Sequence, residues 1–395
     1  MTRYIVLRDT SGNWCRSTVP VVRTIRPNDP DQPGVPYLSI WELTPSEVDE
    51  IAKDPSYLRV TPVMPTRLLA PEPMDDVRSS DLVPGWGSVA VGADSTPYSG
   101  KGVRVALLDT GIDARHPCFK GLSLTTRDFV GTGIDDVNGH GTHLAGTILG
   151  RDLGGMRIGV ARGMTTLVAA KTLTDTGQGR TDEFLHALLW ALTEKADIIG
   201  FSLAFDTPAY EEQLAAEGYP QTLAKNAAIH AYRGNLRVFE TILSMMDRET
   251  RPLILGAVGN DSLRTISPDF VTGPASPAAA RGVLTVGAIG PSSTGYVQAP
   301  FSNIGPLLVA PGVGIVSACP GGDVRSMNGS SMAMAHGVGV AALWAEHLRE
   351  TGAPLNAETL AAALIGATTY DGISPDVGLY DRGQGLIQAP LARND

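Results

Sequence analysis

The chain has few cysteines: Cys15, Cys118 and Cys319 are three in 395 residues and lie far apart. Their odd number and wide spacing exclude a disulfide framework and show no metal-ligand spacing, so they read as isolated thiols. No stretch approaches the roughly 20 apolar residues of a membrane span. The first ten residues, MTRYIVLRDT, lack the apolar stretch of a secretory signal, so a cytoplasmic enzyme is the expectation, or a secreted one if a signal has been removed. Basic clusters are missing too, and the formal net charge is −10, which argues against a nucleic-acid surface. Gly (45) and Pro (28) are plentiful, which implies many loops. The length suits one large α/β domain plus a smaller one.

Residues 1–75 read as a small α+β unit. Tyr4–Leu7 and Tyr37–Trp41 are strand-like. LTPSEVDEIAKDP then carries helix-start signals: Thr44 as N-cap, Pro45 at the first helical position and Glu47 completing a capping box. Asp54-Pro55 ends that helix, and Tyr57–Val60 alternates as a strand would. The Pro-rich acidic stretch from Pro71 begins a linker, assigned to 76–90. From about residue 80 the texture changes, and the larger domain is assigned to 91–395. Apolar runs suited to buried parallel strands occur at Val103–Leu108, Leu167–Ala170, Ile198–Phe201, Leu253–Val258 and Val283–Val286, with helical patterns between them such as Thr181–Glu194. This alternation predicts an α/β fold with a mainly parallel sheet covered on both faces, its site at the carboxyl ends of the strands.

Three short segments carry chemistry: LLDTGID around Asp109, NGHGTHLAG around His140 and NGSSMAMAHG around Ser331. An acid, a base and a hydroxyl are what a serine nucleophile needs to attack a carbonyl. Each alone has a plainer reading. Asp109 could cap a turn, His140 and His143 could be a metal pair, and Ser331 could be an N-cap. A hydroxyl at a helix N-terminus nevertheless lies beside free N–H groups and the positive end of the dipole.

Together the segments resemble the Asp, His and Ser motifs of the subtilisin-like serine proteases, in that family's order. AVGN at Ala257–Asn260 is a fourth match, and the similarity extends over roughly residues 80–390 through GVARG, FSNIGP, APGVGIVSA and GQGLI. The resemblance implies a three-layer subtilisin-like fold at 91–395, preceded by a small α+β domain similar to an inhibitory pro-segment. It implies a serine endopeptidase acting on protein or peptide substrates. Ser331 would be the nucleophile, His140 the general base, Asp109 the orienting acid and Asn260 an oxyanion donor. Two cleft-lining segments, Gly177-Gln178-Gly179 and Ser202-Leu203-Ala204, would pair with the substrate backbone. The chain's own N-terminal segment is a second candidate occupant of the cleft, with a boundary in Leu69–Val83.

The chain departs from the family pattern in places. Ala204 stands where glycine is usual, and the expectations are a narrower first specificity pocket, a slightly shifted strand, or a tolerated small-to-small change. Ser330 replaces a threonine and Ala335 a proline. His116-Pro117 is followed by Cys118 rather than an aspartate, so the family's calcium site there is expected to be absent, and no cofactor is expected. An insertion near 206–235 is expected to form a flap beside the cleft. Two other functions fit the same residues: a maturation or leader peptidase dedicated to one partner, and an inactive protein-binding module on the protease fold.

Overall fold

The computed structural model describes residues 2–8, 37–72 and 85–391. Cys15 and most of the expected linker lie outside them. In the N-terminal unit, β1 (Thr2–Arg8) pairs antiparallel with both β2 (Tyr37–Leu43) and β3 (Tyr57–Pro62). Helix α1 (Pro45–Ile51) starts at a reciprocal cap: Thr44 N donates to Glu47 Oε2 at 2.7 Å, and Glu47 N donates to Thr44 Oγ1 at 3.4 Å. Alternation along β1 separates two faces. Val6 joins Trp41, Leu43 and Ile51 beneath α1. Ile5 and Leu7, with Leu38 and Ile40, face the main body of the protein. The next strand, β4 (Pro65–Leu68), leaves this sheet altogether.

After α2 (Trp86–Ala90), strands and helices alternate: β5 (Val105–Asp109), β6 (Ser123–Asp128), α3 (His140–Leu149), β7 (Thr166–Lys171), β8 (Gln178–Arg180), α4 (Thr181–Thr193), β9 (Ile198–Phe201) and β10 (Leu203–Phe205). Then follow α5 (Thr207–Ala216), α6 (Gln221–Met245), β11 (Leu253–Ala257), β12 (Val283–Ser292), β13 (Gly295–Gln298) and β14 (Leu308–Pro311). A hairpin of β15 (Ile315–Cys319) and β16 (Asp323–Met327) leads into α7 (Ser330–Glu350), α8 (Ala357–Gly366) and α9 (Leu379–Arg382). The central sheet has eight strands, with β14 also paired to β12 and the rest in the order β13-β12-β11-β9-β5-β7-β6. All its pairings are parallel except β12 with the edge strand β13.

The five apolar runs become five of its strands, buried on both faces as a covered parallel sheet requires. On β5, Val105 and Leu107 pack with α3 and α7, whereas Ala106 and Leu108 pack with α4 and α6. That division gives three layers. Residues 86–90, assigned to the linker from their sequence, form α2 instead, anchored by Trp86 Nε1 donating to Val313 O at 3.1 Å.

The insertion, expected as a flap beside the cleft, folds as two packed helices, and α5 also touches β4. Asp206 caps α5 through Ala209 N at 3.1 Å, and α5 packs along α6. Ala224, Ala228, Ala231 and Asn235, one helical stripe of α6, are buried beneath the N-terminal sheet. Small residues let the two approach closely, and Asn235 Nδ2 donates to Pro62 O at 2.9 Å. The inserted helices are mainly a platform on which the N-terminal unit docks. Among the described residues, no helix is long and apolar enough to cross a membrane.

Candidate active site

Asp109 is the last residue of β5 and is buried. Its Oδ1 accepts from Thr110 N at 2.8 Å and meets His140 Nδ1 at 2.7 Å. An ionised carboxylate only accepts, so Nδ1 carries the proton and the lone pair falls on Nε2. That Nε2 is buried and has no hydrogen-bond partner. His140 opens α3 after Gly139, whose φ of 91° favours glycine. Gly141 is needed for a different reason: a Cβ there would collide with the Gly111 carbonyl oxygen, so only glycine lets the helix approach the loop after Asp109.

A second buried carboxylate, not identified from the sequence, organises this corner. Asp136 Oδ1 accepts from Thr110 Oγ1 and Gly139 N, each at 2.8 Å, while Oδ2 accepts from Thr142 N and Thr142 Oγ1, each at 2.7 Å. Asp136 thus ties the residue after Asp109 to the first turn of α3. Its position four residues before His140, in DVNGH, was the available signal. Lys171 adds a further tie, its buried Nζ donating to Thr110 O at 2.5 Å, Asp135 O at 3.1 Å and Asp175 Oδ1 at 2.6 Å.

Ser331 lies in the first turn of α7, where its N–H has no helical acceptor. Its hydroxyl accepts from Ser202 Oγ at 2.5 Å and donates to Leu69 O at 3.2 Å, so it does not engage His140. Asn260 sits on the loop after β11. Its Oδ1 accepts from Ser330 N at 2.8 Å and Ser330 Oγ at 2.7 Å, which aims Nδ2 outward. Nδ2 donates to Ala70 O at 2.9 Å. The serine that replaces the family's threonine therefore holds the amide in place. Helix α7 runs unbroken past Ala335, with His336 Nδ1 2.9 Å from Met332 O.

The two expected cleft segments do flank a strand, and that strand is β4. The sheet order is β10-β4-β8, antiparallel on both sides. Leu203 pairs with Leu68, and Ala204 with Arg67, so the extra methyl of Ala204 is accommodated without breaking the register. Gln178 and Gly179 pair with Arg67 and Thr66, and Leu68 N donates to Gly177 O at 2.7 Å. Leu69 N donates to Ser202 O at 3.3 Å, and further on Glu72 N donates to Asn328 O at 2.9 Å. The backbone from Pro65 to Glu72 thus passes through the cleft over Ser331. Leu69 is fully buried there, worth about 1.5–3 kcal/mol.

Three further histidines, His143, His336 and His116, and Cys118 have structural partners. His143 Nε2 lies 2.9 Å from Ile315 O and 3.1 Å from Arg325 O, tying α3 to the β15–β16 hairpin. Burial pushes its pKa down to about 3, with the neighbouring His140 adding to the shift. Burial likewise holds His336 down at about 4. His116 places its ring nitrogens 2.9 Å from Cys118 Sγ and 2.8 Å from Asp323 O, and burial raises the Cys118 thiol to about 12.

Comparison with known proteins agrees with this geometry. Residues 100–385 match the model of the subtilase family, peptidase S8. Subtilisin-like protease 6 of Arthroderma gypseum is 32% identical over 276 residues, covering 67% of this chain and 60% of that protein. Its counterpart from Trichophyton equinum is 32% identical over 272 residues, covering 66% and 58%. Subtilisin-like protease 1 of Trichophyton rubrum is 32% identical over 314 residues, covering 75% and 52%. The chain thus spans about half to three fifths of the length of these curated relatives.

Proposed function

We propose that this chain, which belongs to the subtilase family, is a serine endopeptidase whose own N-terminal segment fills its cleft. The observation that carries the reading is a peptide backbone at the reacting groups: Leu69 O is 3.2 Å from Ser331 Oγ, and Ala70 O is 2.9 Å from Asn260 Nδ2. In turnover, Ser331 turns from Ser202 toward His140, gives its proton to Nε2 and attacks the substrate carbonyl. Asp109 keeps Nδ1 protonated and stabilises the imidazolium. Asn260 Nδ2 and the N–H of Ser331 hold the oxyanion. His140 then protonates the leaving amine, and water repeats the sequence on the acyl-enzyme.

Gly177, Gln178, Gly179, Ser202, Leu203 and Ala204 bind the substrate backbone in this reading. The N-terminal unit acts as a tethered occupant, docked on α6 and threaded into the cleft through β4. No cofactor takes part. The reading assigns no calcium to the loop at His116-Pro117, where Cys118 stands in place of a carboxylate and calcium requires oxygen ligands. No observation favours the dedicated maturation peptidase or the inactive module over this reading. The test is hydrolysis of an unfolded protein such as reduced, alkylated casein. The wild-type chain should produce new peptides, whereas Ser331→Ala and His140→Ala should not. Equal hydrolysis by wild type and Ser331→Ala would overturn the assignment.

A further inference from the structure

Among the residues running through the cleft, Arg67 carries the positive charge, and the structure gives it a specific partner. Its Nη2 lies 2.5 Å from Asp261 Oδ1. Asp261 directly follows Asn260, so this carboxylate stands at the rim of the reacting site. It is held there from behind. Asp261 N donates to Asn303 Oδ1 at 2.8 Å, and Asn303 Nδ2 donates to Asp261 Oδ2 at 3.4 Å. Asn303 is buried and also donates to Gly273 O at 3.1 Å, so Asp261 does not depend on Arg67 for its position.

Alternation along the strand puts Thr66 and Leu68 toward one side of the segment, Arg67 and Leu69 toward the other. The register is fixed on both edges: Arg67 pairs with Ala204 and with Gln178. Any peptide bound as an added strand in that register must present its own side chain to Asp261 at the Arg67 position. Past the reacting residues, Glu72 meets the same carboxylate with the opposite outcome. Its carboxyl is pushed up, first by burial and then by the charge of Asp261.

We infer that Asp261 is a specificity-determining residue that selects a basic side chain two residues before the residue whose carbonyl faces Ser331. The preferred substrate is an extended segment of the type Arg-Leu-Leu. This rests on the endopeptidase reading and adds to it a substrate class. The pair is partly exposed, each side chain at 38%, so its contribution is modest. Such pairs are worth a few-fold in affinity, and an acidic side chain exchanges attraction for repulsion. Arg should therefore exceed Glu by roughly 3- to 30-fold at low salt, with the ratio shrinking as salt rises.

The test uses three fluorogenic amides, acetyl-Thr-X-Leu-Leu-aminocoumarin with X as Arg, Gln or Glu, hydrolysed by the full chain. The expected order in kcat/KM is Arg, then Gln, then Glu. The Arg-to-Glu ratio should collapse toward one in Asp261→Asn and invert in Asp261→Arg. A ratio that is the same in wild type and Asp261→Asn overturns the inference. Failure to hydrolyse any of the three, by the full chain and by its Leu69→Asp variant alike, counts against the endopeptidase reading instead, and a second arm then decides. In the Ser331→Ala chain, hydrogen exchange at the Leu68 and Leu69 amides should quicken with Arg67→Glu. It should recover in the charge-swapped Arg67→Glu, Asp261→Arg variant. No change with Arg67→Glu, or no recovery in the swap, overturns the inference.

Discussion

The hydroxyl of Ser331 donates to the carbonyl oxygen of Leu69, a residue 262 positions earlier in the same chain. A short strand between β10 and β8 brings the two together. The hydroxyl also accepts from Ser202, leaving Nε2 of His140 without a partner. The resting arrangement is thus a nucleophile turned toward its own chain and a base with a free lone pair. Two registers meet at this point: Ser331 touches the Leu69 carbonyl, while Asn260 holds that of Ala70. Neither peptide bond has both groups on one carbonyl, so the chain lies in its own cleft out of position for attack.

Displacing the segment should open the cleft. Leu69→Asp places an unpaired carboxylate where a leucine is fully buried, a change costing several kcal/mol if the segment stays. The segment should leave, and hydrolysis of a short fluorogenic peptide should rise by roughly tenfold or more. An unchanged rate would show that β4 does not limit access.

Removing the oxyanion donor should act on turnover. Asn260→Ala should lower kcat by about 100- to 1,000-fold with little effect on KM, the magnitude known for subtilisin itself. Steady-state kinetics on a single peptide separates this from a general loss of fold, which circular dichroism would register.

Asp136→Asn should disturb both stability and chemistry. An amide NH2 facing Thr142 N–H and hydroxyl, or Thr110 and Gly139, sets donor against donor. The expected loss is about 1–3 kcal/mol in denaturant unfolding, with kcat reduced because the Asp109 loop and α3 lose their shared anchor. Wild-type stability and turnover together would argue that the anchor is redundant.

These contrasts mark what the sequence could and could not convey. Local signals were legible: the Thr44–Glu47 cap, the buried runs that became β5, β7, β9, β11 and β12, and α4. So were the motif residues, because each sits beside a glycine or strand end that its local geometry demands. The role of Asp136 was hidden because it shows only when Thr110, 26 residues earlier, folds against the nearby donors Gly139 and Thr142. The family resemblance placed the N-terminal segment in the cleft, but β4 and its register were hidden for a related reason. Pro65–Leu68 is short and its partners lie more than 100 residues away, so nothing local distinguishes it from linker. The seating of α6 beneath the N-terminal sheet was not legible, because a polar amphipathic helix does not say which neighbour its alanine stripe will meet.

Acid should weaken the fold through its buried histidines. His143 and His336 have folded pKa values lowered to about 3 and about 4 from 6.5. The unfolded chain therefore binds the protons that the folded chain refuses. Their contribution to stability is fully present above pH 6.5 and declines as pH falls toward 4 and then 3. The urea midpoint should drop through that window, and less steeply in His336→Asn. An equal slope in the variant would remove His336 from the account.

The central claim is that Ser331 is a nucleophile activated by His140 and Asp109 beneath a self-bound strand. Mass spectrometry of the chain after reaction with a fluorophosphonate tests it most directly. The account predicts a single adduct on Ser331, formed faster in Leu69→Asp and abolished by His140→Ala. An adduct on another residue, or labelling that survives Ser331→Ala or His140→Ala, would contradict it.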